Sequence, residues 1–337
     1  MAEQRVAYGG QAVIEGVMMR GPHTFAVACR TPDGEIVVQE EPVPAIFTRY
    51  AWAKWPFLRG SFALFDSLVL GMKSLLYSAT VANEAEANAA ARGMEVRHTG
   101  RGGAVSGIAI SASAVLGMAL GVGLFVLLPS LAAEGVRPIL KGLLPASPGW
   151  RDFLTNLTEG VIRLGLFLGH IRLISRMPYV DRLFRYHGAE HKVINAFEKE
   201  GVLDADVAMR QSTIHPRCGT NFVLTVLMVK VLLASFFGWP SLWLRLALRL
   251  IALPVVAGVA FEVIRLAGKY RDFQPLQWLV APGLWTQRLT TREPTIDMVE
   301  VAVRALDAVV RREKEPVPAR EVVRAVPEAA CVEPAPS

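Results

Sequence analysis

The segment Tyr186-His187-Gly188-Ala189-Glu190-His191-Lys192 carries two imidazoles and a carboxylate at a spacing that puts all three on one face of a helix. His187 and His191 stand one turn apart and can aim at a single cation, while Glu190 can take a proton from water held on it. This is the H-x-x-E-H order of the inverted zincins. The rival reading is a solvated helix with two ordinary histidines. A second cluster, His215-Pro216-Arg217-Cys218-Gly219, sets an imidazole and a thiol three positions apart in a turn that Pro216 and Gly219 keep from being helical. Such donors suit Zn²⁺ or another divalent transition metal.

His187 and His191 are therefore expected to hold the metal with one of His215, Cys218 or Glu262 as third ligand, and Glu190 is expected to act as general base. Three protein ligands leave room for water and make a catalytic site, whereas four close it into a structural one. Pro216 keeps the chain extended at His215, which favours that residue as the third ligand; Cys218 begins an apolar segment, where a thiol often simply packs. Glu262 is the rival, as a distant downstream acid. His23, beside Pro22, reads as a loop residue rather than a further ligand.

These groups need elements to hold them. Asp181 is the expected N-cap of the helix bearing His187, and Gly201 its C-terminal stop. Around that helix the chain is too apolar for a soluble domain: of 337 residues 52% are hydrophobic, and the mean hydropathy is +0.35. Four membrane spans are expected, at Ala104 to Leu128, Thr155 to Ser175, Thr220 to Trp239 and Leu242 to Ala267. In the second, Arg163 and His170 share a helical face that would point into the bundle. Gly238-Trp239-Pro240-Ser241 turns the third into the fourth. Ser61 to Ser78 reads as an interfacial amphipathic helix, with a fifth span as the alternative.

Lys and Arg concentrate at one set of ends (Arg97, Arg172, Arg182, Arg265, Lys269), which predicts a plasma-membrane protein with both termini and the loop from Met177 to Cys218 in the cytoplasm. No cleavable signal segment is expected at Met1 to Gly10. His187, His191, His215, Cys218 and Glu262 would then meet at one membrane face. The net charge of +6 is scattered beside apolar segments, so the expected partner is the lipid bilayer and not nucleic acid. The substrate is unknown, and a homo-oligomer is compatible with this pattern. Cys29, Cys218 and Cys331 are an odd, well-separated set that suggests no disulfide framework.

The fold class expected is an α-helical multi-pass membrane protein of about four transmembrane helices with a small N-terminal β-rich cytosolic unit and cytosolic amphipathic helices. Phe25 to Cys29 and Glu35 to Val38 flank the turn Pro32-Asp33-Gly34 in that unit. The divisions are 1–48 for the β-rich unit, 49–103 for the interfacial and Ala-rich helices, 104–267 for the bundle with its loop 177–219, 268–314 for a C-terminal helical segment and 315–337 for a disordered tail. The glycines of Gly9 to Pro22 suit tight turns or close backbone approach, with a Glu15–Arg20 salt bridge expected there.

Four segments resemble the hallmarks of a bacterial membrane-protein family, the YqhQ-like or DUF1385 proteins: GGQAVIEGVMMRGP at Gly9 to Pro22, YHGAEHK at Tyr186 to Lys192, HPRCGT at His215 to Thr220 and PGLWTQRLTT at Pro282 to Thr291. The resemblance runs from about Tyr8 to Ala308. It implies a plasma-membrane protein and a metal-dependent enzyme without an assigned substrate. Read from the residues, the function expected is a membrane-embedded, metal-dependent hydrolase. A metal-stapled scaffold is the main rival. A transporter drawn from Arg163, His170, Lys230 and Arg249 is the third reading.

Overall fold

The computed structural model describes residues 8–43, 53, 55–91, 116–117, 119–143, 148–235, 238–270 and 273–314. Four strands, β1 (Gly9–Val13), β2 (Gly16–Arg20), β3 (Thr24–Arg30) and β4 (Ile36–Pro42), form an antiparallel meander in that order. The hairpin expected around Pro32 to Gly34 is β3–β4, with Gly34 at φ 89°. The glycine-rich segment from Gly9 supplies a second hairpin, in which Val13 pairs with Gly16 and Glu15 takes φ 50°. Gly16 is needed here because a Cβ would stand 2.2 Å from the Ala28 carbonyl of β3.

Both faces of the sheet are covered. Phe25, Val27 and Cys29 of β3 pack with Leu70 of the first helix, while Ala26 and Ala28 face the opposite core. That opposite core is closed by α4 (Pro178–Glu200) and α9 (Ile296–Lys314). α9 is amphipathic as expected and turns Met298, Val301, Ala305 and Val309 inward. The remaining helices are α1 (Leu58–Ala91), a π-helical turn (Gly123–Leu127) running into α2 (Leu128–Leu143), α3 (Pro148–Ile174), the short α5 (Ala205–Met209), α6 (Gly219–Ser235), α7 (Leu242–Lys269) and α8 (Gln274–Thr290).

Among the described residues three helices are long and apolar enough to cross a membrane, at Leu58–Asn83, Ala119–Leu143 and Trp243–Ala267. Leu68, Leu76, Leu250 and Ile251 are among their large apolar side chains left open to the surroundings. Ser61 to Ser78 is part of the 34-residue α1, which is long and apolar enough to cross a membrane, as the fifth-span alternative requires, and packs along α7. The joint is close: Arg59 donates to Glu262 at 2.7 and 2.5 Å, and a Cβ on Gly60 would stand 2.5 Å from Phe261 Cβ. The apolar helix expected to end at Leu128 continues to Leu143, and in this continuation Arg137 pairs with Asp152 at 3.2 Å; the part from 104 to 115 lies outside the described residues.

The segments expected to span at Thr155 to Ser175 and Thr220 to Trp239 fall in the 27-residue α3 and in α6, described as far as Ser235. α3 lies between α2 and α6 and buries its polar stripe. Glu159, 1% exposed, accepts from Ser130 at 2.8 Å, Arg163 at 2.6 Å and Arg249 at 2.5 Å. Arg163 and His170 do share a face: Arg163 donates to the Phe125 carbonyl in the π turn, and His170 meets the Phe125 ring edge-on at 5.4 Å. The tail from 315 lies outside the described residues.

Candidate metal centre

The cluster begins with one helix. α4 opens at Pro178, whose ring presets the helical φ, so Met177 and not Asp181 is its N-cap; Asp181 sits in the first turn and pairs with Arg185 at 2.8 Å. Gly201 closes it at φ 72°, as expected. The face bearing His187, Glu190 and His191 is not solvated. His191 is 1% and Glu190 4% exposed, and both are covered by the loop 201–218, the end of α8 and strand β1.

Buried polar groups on α4 hold that loop in place. Lys192 donates to the carbonyls of Met209 and Gln211, each at 2.8 Å, and Asn195 donates to Ser212 at 2.8 Å and Ile214 at 3.2 Å. From the other side Gln287 of α8 grips His215 twice: its Oε1 accepts from the His215 N–H at 2.9 Å, and its amide donates to the His215 carbonyl at 2.8 Å. Four carbonyls and one complete peptide position are thereby satisfied, as burial requires. The loop carries the Thr213 carbonyl to His191 and Cys218 to His187.

The resulting geometry sets the imidazole tautomers. His187 Nδ1 lies 2.8 Å from the Thr290 carbonyl, and His191 Nδ1 lies 2.5 Å from the Thr213 carbonyl. A carbonyl only accepts, so each Nδ1 carries the hydrogen and each Nε2 presents a lone pair. His187 Nε2 is 3.2 Å from Cys218 Sγ, the His187 and His191 rings are 4.4 Å apart, and one donor atom from each of the three residues lies within 4.8 Å of the others. His191 Nε2 is buried and has no hydrogen-bond partner. Cys218 is a free, buried cysteine whose sulfur also accepts from the Thr220 N–H at 3.4 Å.

Glu190 lies on the same helix face, packed on β1. A Cβ on Gly10 would come within 2.9 Å of Glu190 Cγ, so the absence of a side chain there lets the strand N–H reach the carboxylate. The second carboxylate oxygen, Oε2, is buried without a partner. Burial pushes the Glu190 carboxyl up, against the pull of His187, His215 and the Gly10 N–H. Burial also holds His191 and His215 below the usual imidazole range, so both stay neutral, the state that ligates metals.

The other expected donors lie elsewhere. His215 stacks beside His191 with ring centres 5.8 Å apart, but its Nε2 faces Glu198 at 3.5 Å, outside the three-residue group. Glu262 does not converge on the cluster: Arg59 takes both its oxygens. The backbone of His23 is held by Glu313 at 2.7 Å, at the sheet's edge against α9. Glu15 pairs with Arg182 of α4 and not with Arg20, because the hairpin places Arg20 opposite Gly9, at the far end from the turn. Sequence reasoning did not find Thr213, Thr290, Gln287 or Gly10 as supports. Two of these stand in the PGLWTQRLTT segment and one in GGQAVIEGVMMRGP, so the signal was present without a chemical reading.

Fold and site together describe a helical protein with membrane-type helices and an attached sheet layer, with a His/His/Cys group buried where the two meet. The chain belongs to the DUF1385 family, described as a protein of unknown function, whose profile matches residues 55–312. It is 35% identical over 311 residues to the "Uncharacterized protein YqhQ" of Bacillus subtilis (strain 168), covering 91% of this chain and 93% of that one. No solved structure matches the chain.

Proposed function

We propose that this protein is a membrane-embedded, metal-dependent hydrolase whose ion is held by His187, His191 and Cys218. One observation carries the reading: a half-buried and a buried imidazole, His187 and His191, each tied through Nδ1 to a carbonyl, lie with a free thiol beside a buried carboxylate oxygen without a partner. Backbone carbonyls behind ligating histidines are the usual means of orienting them. Cys218 thus replaces His215 as the third donor, and three protein donors leave a coordination position free for chemistry.

A divalent metal held there by His187, His191 and Cys218 would supply a Lewis acid and would bring the pKa of water to about 7. Glu190 would accept the proton of the attacking water at Oε2 and return it to the leaving group; burial raises its pKa above the usual carboxylate range, which makes it a stronger base than an exposed carboxylate. Water adds to a carbonyl or phosphoryl centre, the bond to the leaving group breaks, and H and OH are distributed between the two products. The proposal includes a plasma-membrane location with both termini and the cluster on the cytoplasmic side, for which Arg172, Arg176, Arg182 and Arg185 around the start of α4 are the support.

The deciding experiment is Glu190→Gln in the full chain, assayed against a panel of amides, esters and phosphoesters. Retention of the metal with turnover reduced by roughly 10²–10⁴ supports the reading. Parental turnover in that variant rejects it. A second reading, a structural staple, is favoured by the burial of the cluster and by its tying α4, the loop 201–218 and α8 together. It predicts that chelation lowers the melting temperature sharply while Glu190→Gln changes no activity.

A further inference from the structure

A second polar site lies at the opposite end of the bundle. Cys218 precedes the first turn of α6, and the hairpin Gly238-Trp239-Pro240-Ser241 follows its last; 17 helical residues separate the two by about 25 Å. Beside that hairpin is a cavity of about 320 Å³, lined by Ser130, Glu134 and Arg137 of α2 and by Trp239, Ser241 and Arg245, among others. Arg245 is 5% exposed, and its Nε and Nη1 have no hydrogen-bond partner. Its guanidinium rests on the Trp239 ring at 3.8 Å, which fixes its plane without satisfying its N–H groups.

Glu134 fills that role only in part. Its carboxylate is 53% exposed, accepts from the Trp239 indole at 2.7 Å and forms an ion pair with Arg245 Nη1 at 3.6 Å, too long for a hydrogen bond. A buried guanidinium left this way costs stability unless an acceptor completes it. Two further features point to an anion. Ser241, at the N-cap of α7, makes no side-chain capping bond, so the positive end of a 28-residue helix faces the same cavity. The cavity's own charged lining is also unbalanced: Arg137 and Arg245 are set against Glu134, an excess of one positive charge.

We propose that this cavity binds a phosphate group, with Arg245 as the main donor and Arg137, Ser241 and the α7 N-terminus completing the cradle. A guanidinium held flat on an indole offers directional N–H donors, and phosphate oxygens accept several such donors at once. The phosphate comes either from a phospholipid headgroup, whose chains lie along the exposed face of α7 at Trp243 and Leu244, or from free inorganic phosphate. The site is independent of the metal centre.

The test uses the full detergent-solubilised chain and native mass spectrometry. Dihexanoyl phosphatidylglycerol and inorganic phosphate are titrated separately, with dihexanoylglycerol as the neutral control. Saturable binding of one phosphate-bearing probe per chain, weakened roughly tenfold or more by Arg245→Gln, is expected. Binding of the lipid alone identifies a headgroup site, and binding of inorganic phosphate identifies a free-anion site. If Arg245→Gln does not fold, Arg137→Gln, at a partly exposed position, must show the weakening instead. The proposal is overturned if neither probe binds the parent, if the folded variants bind as the parent does, or if dihexanoylglycerol binds as well as the phospholipid.

Discussion

Gly188 and the carbonyl of Arg292 lie in direct contact: a Cβ at position 188 would stand 2.0 Å from that oxygen. The connection from α8 to α9 therefore rests on the backbone of α4, and Arg292 N–H donates to the Phe184 carbonyl at 3.0 Å beside it. The same approach sets the Thr290 carbonyl 2.8 Å from His187 Nδ1. Gly188→Ala must push the connection away. We expect a loss of about 1–3 kcal/mol of stability in urea unfolding, since neither backbone can yield locally. Metal affinity, followed by titration of the purified chain, falls with it. Unchanged stability and affinity in Gly188→Ala would show that the contact positions nothing.

The donor set predicts a spectroscopic difference among variants. Loaded with Co²⁺, the parent shows thiolate-to-metal charge-transfer absorption in the near ultraviolet, and Cys218→Ser lacks it. The His187→Ala, His191→Ala double variant binds no metal. His215→Ala and Glu262→Gln keep both the metal and the absorption band, since His215 faces Glu198 and Glu262 is held by Arg59. A parent without the band, whose metal binding survives Cys218→Ser and is lost in His215→Ala, reverses the assignment.

Gln287 is fully buried and its whole amide is used on the backbone of His215. Gln287→Leu keeps the volume and strands an N–H and a carbonyl, at a cost of about 1–3 kcal/mol. Because the same loop carries the Thr213 carbonyl to His191, metal affinity should drop by about 10–100-fold, the usual effect of losing an orienting partner. Calorimetric metal titration of a variant shown to be folded checks this.

Cys29 gives a pH dependence remote from the metal centre. It is 1% exposed in the sheet core, and burial first, then the charge of Glu15, pushes its thiol from 9.0 up to about 12. The folded state therefore keeps a proton that the unfolded state releases. The stabilisation is complete below pH 9 and is lost as pH rises toward 12. Between these limits Cys29→Ala should lose less stability per pH unit than the parent in chemical unfolding. With Cys218→Ser and Cys331→Ser as background, Cys29 should resist alkylation at pH 8.5 until the chain unfolds. Rapid labelling of the native chain would contradict the burial argument.

Much of the centre was legible in the sequence because it is local. A helical period alone puts His187, Glu190 and His191 on one face, Gly201 ends that helix, and Pro32 to Gly34 turns a hairpin. Gly9 to Pro22 was legible only as a place of close backbone approach. That it forms β1 and β2, and that Gly10 opens the way to Glu190, depends on a partner 180 positions along the chain. Hydropathy found the apolar stretches; Asp66 and Lys73 give α1 an interfacial look, and only the packed chain shows Lys73 paired with Glu41 of β4.

The sequence by itself determined the chemical kinds of donor and the single helix that presents two imidazoles and a carboxylate together. Only the tertiary structure decided which residue meets them. The choice among His215, Cys218 and Glu262 turns on where the loop 201–218 runs, and that path is set by Lys192, Asn195 and Gln287 capturing its carbonyls, while Arg59 draws Glu262 away. Spacing along one helix is a property of the backbone and can be read from positions alone. The approach of a loop to that helix is set by burial and by buried hydrogen bonds between distant residues, each satisfied only once the whole chain has packed.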